Sequence, residues 1–111
     1  MNYRVILRIK VQDGKWIQVG SSHEISWEAR GLLQASSGWT VLNQFSPGSA
    51  SSMTSLFEKG ALTLTHSPES FLAYEVDCGP GTIRDAIAFY HGLLEDCRAH
   101  PYAELYGRIV L

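Results

Sequence analysis

The sequence has few of the features that mark a specialised class of protein. It contains two cysteines, Cys78 and Cys97, and no C-x-x-C pair, whereas a structural zinc site takes about four ligands. Lys and Arg number 9 against 11 Asp and Glu, for a formal net charge of −2. This balance does not predict binding to nucleic acid or to an anionic membrane. No apolar run approaches the ~20 residues of a membrane span.

The N-terminus and the cysteines predict a cytoplasmic protein. Residues 1–5 lead directly into an alternating strand pattern and lack the apolar core of a signal peptide. Both cysteines are therefore expected to be free thiols. Hydrophobic residues make up 45% of the 111 positions, which is typical of a soluble globular chain. A chain of this length buries about two thirds of its unfolded surface, enough for a single domain over residues 1–111.

Hydrophobic periodicity predicts a mixture of strands and helices. Period-two alternation favours strands, and apolar residues recurring every three or four positions favour helices. Asp13-Gly14 is a favoured pair for a tight hairpin turn, and the Ser-rich stretch 46–52 is typical of a mobile surface loop. The predicted strands cover 3–11, 15–19, 39–45, 61–66, 71–77 and 105–111. The predicted helices run from a cap at Ser21 or Ser26 to Gly38, over 52–60, and from Thr82 to His100.

These elements predict an α+β fold. The expected architecture is a two-layer sandwich with a mostly antiparallel sheet, the order β-β-α-β-β-β-α-β and two main helices on one face. Without its first strand this is β-α-β-β-α-β, the ferredoxin-like order. Residues 46–60 either close over a pocket as a lid or only connect strands.

One candidate ligand site is the loop that precedes the last helix. Two glycines lead into a helix whose first amides are unpaired, and such an end attracts anions and lowers the pKa of a nearby thiol. Two carboxylates at alternate positions of the predicted fifth strand could share a proton or hold a cation. The loop matches no phosphate-binding motif, and a tight turn with a helix cap explains all of it except the thiol. The residues concerned are Glu75, Asp77, Cys78, Gly79, Gly81 and Thr82.

A second candidate is the sheet face that the helices leave uncovered. Arg4, Arg8 and Lys10 form a basic row along the first strand, with Ile6 among them. Such a face serves as a self-dimer interface, a partner surface or a polar ligand pocket, or it is simply solvated. On the last helix, Phe89 beside a glycine could receive a second helix, although a place at the edge of the core is the first expectation.

No nucleophile–base set or metal-binding motif accompanies these candidates. We therefore expect a small binding or interaction domain without catalytic residues, cofactor or metal, homodimeric through the uncovered face or an edge strand. One alternative is an inhibitor or immunity-type protein that binds and blocks one partner protein. A second is an anion-binding or small-molecule-binding protein, or an enzyme, that uses residues 77–82. The expected partners are a second copy or another protein, with a small-molecule ligand left open and no nucleic acid or membrane.

Overall fold

The fold is known from a computed structural model that describes residues 1–39, 44–76 and 79–111, the side chains of 44–47 excepted. Strands β1 to β4 and helices α1 to α3 alternate along the chain in the order β-β-α-β-α-α-β. Short 3-10 segments, Trp27–Ala29 and Pro68–Tyr74, precede α1 and follow α2. The bounds are β1 Asn2–Lys10, β2 Trp16–Ser26, α1 Arg30–Ser37, β3 Gln44–Ser49, α2 Ala50–His66, α3 Ile83–Ala99 and β4 Glu104–Val110.

The sheet is antiparallel, with the strand order β2-β1-β4-β3. Tyr3, Val5 and Leu7 alternate along β1 on one face and are fully buried with side chains of all three helices. The intervening residues of β1 lie on the opposite, open face, because successive side chains of a strand point to opposite sides. The predicted α+β class, with helices against one face of an antiparallel sheet, is confirmed.

The hairpin and the last helix also form as the sequence predicts. β1 pairs with β2 across the turn at Asp13-Gly14, where Gly14 adopts φ +85°. Thr82 caps α3 by accepting a hydrogen bond from the Asp85 amide, and the Asp85 carboxylate accepts one from the Thr82 amide. Among the helices that the structure describes, none has both the length and the apolar composition needed to cross a bilayer.

The predicted helix cap at Ser21 is wrong, because β2 continues through Ser26. The segment pairs with β1, so that Ile25 lies opposite Tyr3 and both side chains enter the core. Long-range pairing and burial here outweigh the local capping pattern. The helical turn begins after Ser26, and α1 ends at Gly38 with φ +81°, as expected.

The predicted loop at 46–52 and the strand at 61–66 are also wrong. Residues 44–49 form β3, with 40–43 of the predicted third strand outside the described residues, and one continuous α2 replaces the short helix and the fourth strand. Ser49, not Ser52, caps α2 by accepting the Ser52 amide at 3.3 Å. Because β3 pairs with β4 and α2 packs on the core, residues 46–60 belong to the sandwich and are not a lid.

The predicted fifth strand at 71–77 is wrong, because residues 71–74 are part of a 3-10 helix and Glu75 and Val76 follow it outside any strand. Pro68–Tyr74 forms a 3-10 segment that starts with proline, which suits a first helical turn because it has no N–H to leave unpaired. With the predicted strand at 61–66 inside α2 and most of the predicted strand at 71–77 in a 3-10 helix, the ferredoxin-like order does not apply.

Candidate binding surface on the open sheet face

A shallow concavity of about 270 Å³ lies on the open face of the sheet. Its walls come from β1, β2 and β4, and no helix contributes to it. Because the lining spans three adjacent strands, the strand register decides which side chains meet there. The lining residues are Arg4, Ile6, Arg8, Trp16, Ile17, Gln18, Ser22, Tyr106 and Arg108.

The concavity forms where β2 bulges away from β1. Between the pairs Val5–His23 and Leu7–Val19, β1 has only Ile6, whereas β2 has three residues, 20–22. Gly20 takes φ +70° at this bulge, a conformation that favours glycine. Extra residues bend a strand out of its ladder, which opens space beside the half-buried Ile6.

Arg8 holds the two aromatic rings of the surface together. Its guanidinium carbon lies 4.2 Å from the ring centroid of Trp16 and 4.2 Å from that of Tyr106. Both distances are within the range of a cation–π contact, worth about 0.5–1 kcal/mol at an exposed site. The two rings, one from β2 and one from β4, are thus fixed at positions set by a residue on the strand between them.

Arg4 and Arg108 lie directly opposite each other on β1 and β4. On its other side Arg4 forms an ion pair with Glu24, at 3.5 Å between Nη2 and Oε1. Arg108 is exposed, and no carboxylate of the described residues lies within ion-pair distance of it. Like charges directly opposite on a sheet oppose strand pairing, so this pair disfavours the pairing of β1 with β4, although the Glu24 carboxylate offsets part of the charge of Arg4.

The open face carries a positive excess on an acidic chain. Among the described residues, four cations share it with two carboxylates, although the whole protein has a formal net charge of −2. The remainder of the surface is correspondingly acidic, so the charge of the molecule is divided between its two sides. The charged residues of the face are Arg4, Arg8, Lys10, Arg108, Glu24 and Glu104.

The structure brings together three of the four residues predicted for an interface. Arg4, Ile6 and Arg8 line the concavity. Phe89 does not join them, because it is 4% exposed and stacks on Trp39 within the core, with 6.3 Å between ring centroids. It occupies the core position that was the first expectation for it.

Trp16, Tyr106 and Arg108 were missed by the sequence analysis. Both strands were predicted, and their period of two already places Tyr106 and Arg108 on one side. The sequence does not show which strand pairs with β4. The pairing of β4 with β1 in the structure brings these residues beside the basic row.

At the loop before α3, carboxylates of the protein itself accept hydrogen bonds from the first amides of the helix. The Glu75 carboxylate accepts the Ile83 amide at 2.8 Å, and the Thr82 amide donates to Asp85 at 3.1 Å. Gly79 has φ +65°, and Gly81 packs so closely on Val76 that a side chain there would collide. Asp77 and Cys78 lie outside the described residues. A ligand role for Glu75, Asp77, Cys78, Gly79, Gly81 and Thr82 stays a prediction.

Titratable side chains that contact one another also lie between α3 and β2, where they stabilise the fold. Asp96 accepts the Ser21 amide at 2.9 Å and lies 2.6 Å from Nε2 of His23, which ties α3 to the bulge of β2. Cys97 is fully buried, and its burial, with a smaller effect of the Asp96 carboxylate, raises the thiol pKa to about 12. That thiol is protonated at neutral pH and is not a nucleophile. Within the described ranges, no three His, Cys, Asp or Glu side chains are grouped so that they could hold a metal ion.

Comparison of the chain with protein-family models, with curated proteins and with solved structures finds no match. Function is therefore argued from the site. The open face combines two arginines at facing positions of β1 and β4, two aromatic rings stacked on Arg8 and a concavity beside Ile6.

Proposed function

We propose that this chain is a binding module rather than an enzyme, and that its partner docks an acidic group on the open face of the sheet. The observation that carries the proposal is the direct opposition of Arg4 and Arg108. A carboxylate placed between two guanidinium groups accepts charge-assisted hydrogen bonds from both, and it converts their repulsion into attraction.

The aromatic part of the face supports the same conclusion. Trp, Tyr and Arg are the residue types that most often contribute large binding energies at protein interfaces. Here Trp16 and Tyr106 are held by Arg8, so little side-chain entropy remains to be lost on binding. An interaction domain and an inhibitor that blocks one partner would both use this face.

Charge disfavours the expected homodimer through this face. A two-fold interface brings the same patch of both copies together, so two positive faces would meet. An acidic partner avoids this repulsion and gains from the field of the face during encounter.

Self-association through an edge strand is a second candidate, and β2 is the observation that favours it. β2 is at the edge of the sheet, and Ile17 is 47% exposed there. An exposed strand edge with apolar side chains is a template for pairing with a second copy. Sedimentation of the parent, of Ile17→Lys and of Ile6→Thr tests this. Because Ile17 also lines the concavity, a dimer that Ile17→Lys dissociates and Ile6→Thr leaves intact supports the edge interface, and a monomeric parent excludes it.

The docking proposal is tested by NMR titration of the folded protein with an oligoglutamate peptide, with oligolysine as the control ligand. We expect the amide shifts to concentrate on the facing positions of β1, β2 and β4. Arg108→Gln should weaken binding about tenfold, the equivalent of one lost charge-assisted hydrogen bond. The matched control is Arg98→Gln, which removes an exposed arginine of α3 that pairs with Glu58. Equal weakening by both variants, or shifts spread over the whole surface, would contradict the proposal.

A further inference from the structure

We infer that the partner presents an extended acidic peptide segment in which an apolar side chain lies two positions away from a carboxylate. This inference rests on the proposed function and specifies the chemistry of its ligand. It comes from the order in which charged and apolar residues succeed one another across the open face.

The first row of the face is basic and the second is apolar. Arg4 and Arg108 form the first row, and Ile6 and Tyr106, which also lie directly opposite each other, form the second. The rows are two residues apart along the strands, which corresponds to about 7 Å at the rise of a β-strand. An extended peptide repeats its side chains on one face with the same spacing, so a carboxylate on the first row places the next side chain of that face on Ile6 and Tyr106.

The third row restricts the next side chain of the peptide. Arg8 lies there between Gln18 and Glu104, and its guanidinium already stacks on both aromatic rings. A second carboxylate at this row would be attracted by Arg8 but repelled by Glu104, so it gains less than at the first row, whereas a neutral polar side chain can hydrogen-bond to Gln18. The face therefore favours one acidic position and one apolar position two residues apart over a uniformly acidic stretch.

The same contacts favour a peptide over single-stranded nucleic acid. Proteins that bind single strands stack bases on free aromatic faces, but Arg8 covers one face of both Trp16 and Tyr106. The carboxylates of Glu24 and Glu104 lie on strands β2 and β4, on either side of β1, where they would repel a phosphate backbone that crosses the face. A peptide with a single carboxylate can place its negative charge at the first row alone, whereas the phosphates of a nucleic acid recur along its whole length.

The test compares four probes by NMR titration: peptides containing Glu-Ser-Leu, Glu-Leu-Ser or Gln-Ser-Leu, and an oligothymidylate. We expect Glu-Ser-Leu to bind about fivefold more tightly than either other peptide and to shift the Trp16 indole signal, assigned with Trp16→Phe. Ile6→Thr should abolish the preference for Glu-Ser-Leu over Glu-Leu-Ser while binding of oligoglutamate persists. A spectrum with unchanged dispersion shows that each variant is folded.

The possible results distinguish a failure of the predicted peptide spacing from a failure of the proposed docking function. If all acidic peptides bind the open face equally, the predicted spacing is wrong while the acidic docking surface stands. If oligothymidylate binds the face more tightly than Glu-Ser-Leu, the peptide assignment is wrong. If neither the peptides nor oligoglutamate shift the face, the proposed function fails as well.

Discussion

Replacing Gly60 by alanine should destabilise the protein, although the same change raises helix propensity. Gly60 lies inside α2, and a Cβ there would stand 2.6 Å from Cε2 of Tyr90 and 2.8 Å from Cε1. The ring cannot retreat, since the Tyr90 hydroxyl donates to the Leu33 carbonyl at 3.0 Å and bonds to the Ser36 hydroxyl at 2.8 Å. Alanine gains about 1 kcal/mol of helix propensity over glycine, whereas overpacking costs about 1–3 kcal/mol. With a fixed ring as neighbour the cost lies at the upper end of that range, which leaves a net loss of about 2 kcal/mol.

Gly31→Ala is the matched control, because it makes the same substitution in α1 without the close contact. A Cβ at Gly31 would meet only Tyr74 Cδ1, at 3.6 Å, which is ordinary van der Waals contact. This variant should gain about 0.5–1 kcal/mol. The assay is urea denaturation at neutral pH, monitored by circular dichroism, for the parent and both variants. A Gly60→Ala protein as stable as the parent would refute the claim that Tyr90 forms a fixed wall beside α2.

Three other positions have measurable effects. The raised thiol pKa of Cys97, about 12, means that its stabilising contribution is complete below the unfolded thiol pKa and is lost as pH rises towards 12; Cys97→Ala should therefore flatten the alkaline decline of stability in urea titrations. Asp96→Ala removes the acceptor of the Ser21 amide, so hydrogen exchange at that amide should accelerate while exchange in β1 is unchanged. Glu75→Gln keeps an acceptor for the Ile83 amide but removes the negative charge at the start of α3, and it should cost about 0.3–1 kcal/mol in the same urea assay; no loss would show that only the hydrogen bond matters.

The elements predicted correctly are those whose local signals agree with their tertiary environment. In α3 the cap at Thr82, the apolar spacing and the proline after His100 all indicate the same helix. In β1 the alternation coincides with one buried and one open face. Where local and long-range effects differ, the sequence analysis fails, because pairing and burial depend on segments that are distant in the chain.

The segment 61–66 shows this conflict most clearly. Leu62-Thr63-Leu64-Thr65 alternates as a strand does, yet Leu64 is fully buried and Leu62 is 50% exposed. Leu64 instead shares its buried side with Phe57 and Ala61, at the three- and four-residue spacing of a helix. Gly60 conceals this pattern, because it is typical of a helix end in the sequence, whereas in the fold it makes room for a ring from α3.

The candidate site was predictable only within each strand. The basic row of β1 is expected from alternation alone, but the surface also needs the order β2-β1-β4, the registers of both ladders and the bulge of β2. None of these is a property of a single segment. The pairing of Arg4 with Arg108, on which the proposed function depends, is therefore a result of the fold and could not be predicted from either strand by itself.

The pairing of Arg4 with Arg108 is also a local feature that disfavours the sheet in which it lies. Ile6 faces Tyr106 and Arg8 faces Glu104 on the same two strands, and both pairs favour the register in which they lie. Two arginines facing each other between these strands oppose that register, although the Glu24 carboxylate offsets part of the charge of Arg4. Local choices that contradict the fold are expected at functional positions, where binding rather than folding determines the residue. The acidic partner proposed above would account for this pair, since a carboxylate bound between Arg4 and Arg108 would offset the repulsion of their charges.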